Sequence, residues 1–216
     1  MEITWYGQSC FRLRSKSLAV ITDPYNPEIG LKLPRMTATI ITVSHDHSDH
    51  NHISAVKSGA FVISGPGEYE VQGIFVLGIA SFHDAKEGQE LGRNTAYRIE
   101  FEDLSICHLG DLGHLPNQEQ VELLTGADIL LVPVGGRSTL TAAKAAEVVN
   151  LLEPSIVIPM HYKVPGLVAP LESPKRFLSE LGVEQPEKLE TLTITRAELG
   201  ADAHDMMRVI LLELKQ

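Results

Sequence analysis

A layered α/β fold, with helices lying outside stacked sheets, is what this sequence predicts, and three observations predict it. Short apolar runs closed by turn residues crowd the first half of the chain. Strand-like and helix-like runs alternate through the second half. No linker, repeat or low-complexity segment divides the 216 residues, a length that suits one large domain or two tightly fused halves.

Taken in order, residues 2–6, 10–14 and 18–22 read as three short strands separated by Gly7-Gln8-Ser9 and Ser15-Lys16-Ser17. Trp5, the sole tryptophan, reads as a core anchor. Asp23-Pro24 ends the third strand and opens a Pro-rich loop through Pro34. Asp23 itself fits two roles equally, a turn former or a carboxylate backing a ligating histidine. The β-branched run Thr39-Ile40-Ile41-Thr42-Val43 reads as a buried strand, followed by a short helix over 49–57 that Gly59 closes. Strands follow at 60–63, 68–72, 74–80, 95–101 and 104–109.

The second half changes character. Asn117 starts a helix through Leu124, with Gln120 placed as its capping-box partner. A buried strand over 128–134 ends in Gly135-Gly136-Arg137. Thr141 caps a helix to Leu152, whose Ala145, Val148, Val149 and Leu152 share one apolar face. A further buried strand over 155–159 precedes Met160-His161-Tyr162. Ser173-Pro174 opens a helix closed by Gly182, and strands near 189–194 and 207–214 finish the chain.

Composition narrows the function classes. Hydrophobic content of 44% with 21% charged residues is ordinary for a soluble globular protein. No apolar run approaches bilayer length, and the N-terminus opens directly as a strand, so the expected compartment is the cytoplasm. Cys10 and Cys107 lie far apart in apolar contexts and read as buried free thiols. A net charge of −10 argues against nucleic acid as a partner, since phosphate neutralisation needs a basic face.

The chemistry concentrates in Ser44-His45-Asp46-His47-Ser48-Asp49-His50. Imidazole and carboxylate at this density are metal-ligand chemistry. In extended backbone His45 and His47 project to one side and can grip one cation. Asp49 and His50 fall where the chain turns, so they point toward a second. Three more metal-capable residues follow strand ends: His83, Asp111 and His161. Loops at one sheet edge can bring such residues together. Five histidines and two aspartates suffice for two cations with a shared ligand and open positions for water.

These residues resemble the metallo-β-lactamase superfamily of metal-dependent hydrolases: His45-x-His47-x-Asp49-His50, then His83, Gly110-Asp111 and His161. Gly65-Pro66-Gly67-Glu68-Tyr69-Glu70, His108-Leu109-Gly110-Asp111-Leu112-Gly113 and Ile158-Pro159-Met160-His161-Tyr162 are similar to its small bacterial branch near L-ascorbate-6-phosphate lactonase. The resemblance implies a four-layer αβ/βα sandwich in one domain over 1–216, with metals at one edge of the sheets. It implies that His45, His47 and His83 hold one metal, that Asp49, His50 and His161 hold the other, and that Asp111 bridges them. Relatives that use a di-iron pair for redox chemistry carry an acidic residue at the place of His47, so imidazole there favours hydrolysis.

Nitrogen-rich ligation suggests zinc, with manganese the alternative. The mechanism expected is attack by a hydroxide bound between the metals on a small ester, lactone or phosphoester, with Asp49 both ligating and orienting the nucleophile. The alternatives are an RNA-processing nuclease of the same superfamily, a non-catalytic metal-binding or sensing protein on the same fold, and an iron-dependent thiol or persulfide oxidase. Among other polar residues, His108 reads as a core or supporting histidine before a direct ligand. His114 is a candidate proton donor or substrate contact. Arg137 and Lys163 can each hold an anionic group of a small-molecule substrate or stand as loop charges, and Arg93 is a weaker candidate. Glu68 and Glu70 fall on a strand away from the metals. His52 and His204 read as solvated.

Overall fold

A computed structural model describes residues 1–57, 59–202 and 207–215. His204 lies outside the described residues. The early strands are β1 (Glu2–Trp5), β2 (Phe11–Ser15), β3 (Leu18–Thr22), β4 (Ile40–Thr42) and β5 (Phe61–Ile63). Then come β6 (Gly67–Val71), β7 (Ile74–Phe82), β8 (Arg93–Phe101) and β9 (Leu104–His108). The later half alternates α1 (Gln118–Leu124), β10 (Ile129–Pro133), α2 (Ala142–Leu152), β11 (Ile156–Met160) and α3 (Lys175–Glu180). It closes with β12 (Glu187–Leu189), β13 (Leu192–Thr193), α4 (Arg196–Asp202) and β14 (Arg208–Leu212).

Two mixed sheets result. The first runs β13-β1-β2-β3-β4-β5 and the second β12-β14-β11-β10-β9-β8-β7-β6. In each, antiparallel hairpins give way to parallel neighbours, β3-β4-β5 in one and β9-β10-β11-β14 in the other. Apolar faces of both sheets meet in one core that contains Trp5, Phe11, Leu13, Ile21, Ile40, Tyr97, Ile106 and Ile158. The expected α/β sandwich is the observed architecture.

The helices obey their sequence signals. Asn117 and Gln120 form the reciprocal capping box of α1, and the Thr141 side chain accepts from the Lys144 N–H at the start of α2. Ala145, Val148, Val149 and Leu152 of α2 are buried, and α2 packs on β10, α1 and α3. Each large apolar side chain so buried contributes about 1.5–3 kcal/mol.

Three expectations at the level of elements are corrected. No α-helix spans 49–57; residues 53–55 form a single 3-10 turn. Amides of His50 and Asn51 both bond the His47 carbonyl, which is one helical turn, but the next amide, His52, is captured by Pro24 O at 2.7 Å. The strand foreseen at 189–194 is two strands in different sheets, because Leu189 pairs with Leu212 while Leu192 pairs with Ile3. Finally, α4 follows where no helix was foreseen. Thr195 caps it through a reciprocal pair with Glu198, and Leu199 is buried.

Candidate metal centre

The ends of the strands define the place. Asp23 follows β3, His45 follows β4, His83 follows β7, Asp111 follows β9 and His161 follows β11. Because β3, β4, β9, β10 and β11 run parallel within their sheets, their C-terminal ends gather on one edge. Close approach of the loops there requires glycine. A Cβ on Gly110 (φ +57°) would stand 2.4 Å from Asn94 Oδ1 and 2.6 Å from Ser44 Cβ, and one on Gly135 would stand 2.1 Å from His161 O.

Donor atoms converge in three overlapping groups: His45, His47 and His83; His45, His50 and Asp111; and Asp49, His50 and His161, each within 4.8 Å internally. The first and third are the two ligand sets that the resemblance implied, and the second joins them through Asp111. Asp111 Oδ2 lies 3.4 Å from His50 Nε2, 3.3 Å from His83 Nε2 and 3.2 Å from His161 Nε2. Of the seven, His47 is exposed and Asp49 half-buried; the rest are buried.

Hydrogen bonds behind the rings set which nitrogen faces the centre. Asp23 is buried and accepts from Ser44 N at 2.8 Å, Ser44 Oγ at 2.6 Å and His50 Nδ1 at 2.9 Å. Since Ser44 Oγ donates to Asp23, it must accept from His45 Nδ1, 2.8 Å away. His83 Nδ1 donates to Ser138 O at 2.9 Å. In all three rings Nδ1 is engaged by these bonds, which leaves Nε2 to face the centre. Both roles weighed for Asp23 hold: it backs two histidines, and its φ of +39° makes the turn out of β3.

The centre fits a cation. Nε2 of His45 and Nε2 of His50 are buried without a hydrogen-bond partner among the described residues. Orphaned imidazole nitrogens beside carboxylates are costly unless something positive sits between them. Five imidazoles and two carboxylates gathered in these groups are a zinc-like donor set.

Titration behaviour agrees. Burial pushes His45 down to about 3, which keeps it neutral and able to ligate. Burial also lowers His161, and burial with the neighbouring His83 lowers His47. For His50 burial acts in the same direction, but Asp111, Asp23 and Asp49 together overturn it and raise its pKa well above the usual value. Burial alone would raise Asp111 and Asp49; the surrounding histidines, led by His161 for Asp111 and His50 for Asp49, hold both carboxyls below the ordinary range.

Residues that sequence reasoning passed over complete the surroundings. Gln8, treated as part of a turn, is fully buried with φ +48°. Its Nε2 donates to Asp49 Oδ2 at 3.1 Å, and its carbonyl accepts from the His161 amide at 3.0 Å and from Trp5 Nε1 at 2.9 Å. Ser9 Oγ is 3.5 Å from Asp111 Oδ1. Buried Asn94 accepts from the Asp111 amide at 3.0 Å and donates to Leu109 O at 2.9 Å, aiming the aspartate. A polar residue between Gly7 and Ser9, at the turn joining two apolar strands, was the only signal the sequence offered for Gln8.

The remaining candidates divide. His108 is buried, donating from Nε2 to Ser9 O at 2.8 Å and accepting the Gly110 amide on Nδ1, a supporting histidine as expected. His114 has both ring nitrogens bound to backbone, Nε2 accepting from Phe82 N at 3.1 Å and Nδ1 donating to Leu115 O at 2.8 Å. It staples the end of β7 and has no nitrogen left for a substrate. Arg137, Lys163 and Arg93 are exposed, the first two on the loops after β10 and β11. Glu68 and Glu70 are exposed on edge strand β6, and both cysteines are buried and free.

Residues 2–161 match the family model described as a beta-lactamase superfamily domain. The chain belongs to the metallo-β-lactamase superfamily. Within that superfamily it falls in the UPF0173 family: it is 32% identical to a UPF0173 protein of Pyrococcus abyssi over 185 residues, 77% of this chain and 85% of the relative. It is also 30% identical to a UPF0173 metal-dependent hydrolase of Thermoplasma acidophilum, covering 84% of this chain and 91% of that one. Among solved structures it is similar to a Thermotoga maritima protein assigned to the zinc-dependent hydrolases of the superfamily, with 35% identity, a TM-score of 0.80 and 99% of each chain covered. Two overlapping His/Asp clusters in this family make the chain a metal-dependent hydrolase. No helix among the described residues is long and apolar enough to cross a membrane.

Proposed function

We propose that this member of the metallo-β-lactamase superfamily hydrolyses a small ester, lactone or phosphoester with two divalent cations, zinc before manganese, and that residues 1–216 work as one catalytic domain. The observation that carries the reading is the placement of Asp111 Oδ2 3.2–3.4 Å from three imidazole nitrogens, with orphaned nitrogens on both sides. In this reading His45, His47 and His83 hold one cation, Asp49, His50 and His161 the other, and Asp111 is shared. When bound, such a pair lowers the pKa of water from 15.7 to about 7 and polarises a substrate oxygen.

The chain's own residues supply the rest. Asp49 is half-buried and held by Gln8, so one carboxylate oxygen is fixed and the group can orient attacking water. Asp23 and Ser44 keep the rings of His45 and His50 from rotating. Arg137 and Lys163, exposed on loops that leave the same sheet edge, are suited to an anionic group on the substrate. The similarity of the strand-end motifs to the lactonase branch supports the lactone as the first substrate to try.

The test is metal analysis of the purified protein together with turnover of ester, lactone, phosphodiester and thioester panels. Two equivalents of zinc or manganese with metal-dependent turnover of one class is the expected result. A filled site that turns over none of them would overturn catalysis in favour of binding.

A further inference from the structure

The basic face of β2 carries a feature that hydrolysis does not use. Phe11 and Leu13 are buried in the core, so Arg12 and Arg14 project from the opposite face of the sheet. Arg14 meets Glu2 at 3.6 Å and Lys16 meets Glu102 at 3.3 Å, both pairs at the surface. Arg12 has no such partner. Its Nε is buried without a hydrogen-bond acceptor, and no carboxylate among the described residues comes within ion-pair distance of it. A chain with net charge −10 has carboxylates in excess, yet none lines this place.

What lines it is a cavity of about 220 Å³ bounded by Arg12, Arg14, Lys16, Thr37 and Thr39, among others. Thr39 Oγ1 accepts the Ala19 amide at 3.2 Å, which leaves its hydroxyl hydrogen to donate. Arg12 is part-exposed and lines the cavity with no carboxylate against it, and a planar guanidinium fork is shaped for two oxygens of one anion. The volume falls below the roughly 300–1,000 Å³ of pockets for drug-sized ligands, so the occupant is small. The cavity is also remote from the metals. It meets β3 at Leu18 and β4 at Thr39, whereas Asp23 and Ser44 follow the other ends of those strands, about five residues or 16 Å away.

We infer that this cavity is an anion site for a phosphate group, taken either as inorganic phosphate or as the end of a phosphomonoester, gripped by Arg12 with Arg14 and Lys16 adding charge. Calorimetric titration of inorganic phosphate and, separately, glycerol phosphate into the metal-loaded protein tests it, with sodium acetate and sodium chloride at equal ionic strength as controls. Saturable binding is expected, weakened about tenfold or more in Arg12→Lys, which keeps charge but loses the fork, and lost in Arg12→Leu. Turnover of the hydrolase substrate is expected to stay unchanged in both variants. Tighter binding of the free anion or of the ester identifies which is the natural form, and either result supports the site. Unchanged affinity in both Arg12 variants would place the phosphate at the metals and overturn the inference, as would an equal response to acetate or chloride, or no binding.

Discussion

At the scale of single residues, the centre is held by atoms that each have one place to go. His45→Ala and Asp111→Ala should each abolish metal-dependent turnover while far-UV circular dichroism stays that of the parent, since both side chains serve the centre and neither belongs to the apolar core. Undiminished activity in either would sink the two-cation mechanism. Gln8→Leu removes the amide that fixes Asp49 and should weaken metal affinity about 10–100-fold, the usual penalty for losing a group behind a ligand. Metal-buffered titration reads that loss directly.

His50 also makes the centre pH-dependent. In the metal-free protein its pKa is raised by Asp111, Asp23 and Asp49 against the effect of burial. A raised group stabilises fully below its unfolded value, about 6.5, and that contribution is lost as pH climbs through the folded value. The same proton competes with a cation for Nε2. Apparent metal affinity of the folded protein should therefore rise with pH, by about tenfold per unit for one displaced proton, until the pH passes the raised folded value. A flat metal Kd between pH 6 and 8 would show that His50 carries no proton to displace.

At the scale of elements, much was legible because strand ends announce themselves. His83, Asp111 and His161 each follow a strand, and the structure brings both histidines to Asp111 Oδ2. What stayed hidden depends on long-range partners. Gln8 reads as a turn residue until Asp49, 41 positions later, arrives beside it. The helix expected after His50 stops because Pro24, distant in sequence, takes the His52 amide. The loop after His83 offers a similar case with a testable consequence. The Asp84 carboxylate accepts from the amides of Leu91, Lys86, Glu90 and Gly88, and these bonds hold its pKa down at about 2. Asp84→Ala should speed hydrogen–deuterium exchange over 85–92. Because the folded value is depressed, the loop's order should be complete above about pH 4 and fade as pH falls toward 2. Exchange unchanged in the variant would mean that the loop is held by something other than Asp84.

At the scale of the whole molecule, the centre is where two sheets are tied together. His45 to His50 and Asp23 extend from the first sheet, while His83, Asp111 and His161 extend from the second. Without a cation, that junction brings orphaned nitrogens and carboxylates into a buried space. Metal binding should therefore stabilise the fold as well as arm the chemistry. A ligand present at about a hundred times its Kd adds roughly 2.7 kcal/mol, and a chain of this size shifts about 2–4 °C per kcal/mol. Chelation should thus lower Tm by about 5–10 °C, with zinc restoring it and His45→Ala responding less. Trp5 supplies a second reading of the same event. Its indole bonds Gln8 O, its ring lies 4.8 Å from that of Tyr162, and Gln8 and Tyr162 adjoin the centre through Asp49 and His161. Emission from this sole tryptophan should change on metal addition with the same midpoint as the gain in Tm. If metal analysis shows the cation gone while Tm and emission stay where they were, the centre is a passenger on a fold that the two sheets hold without it.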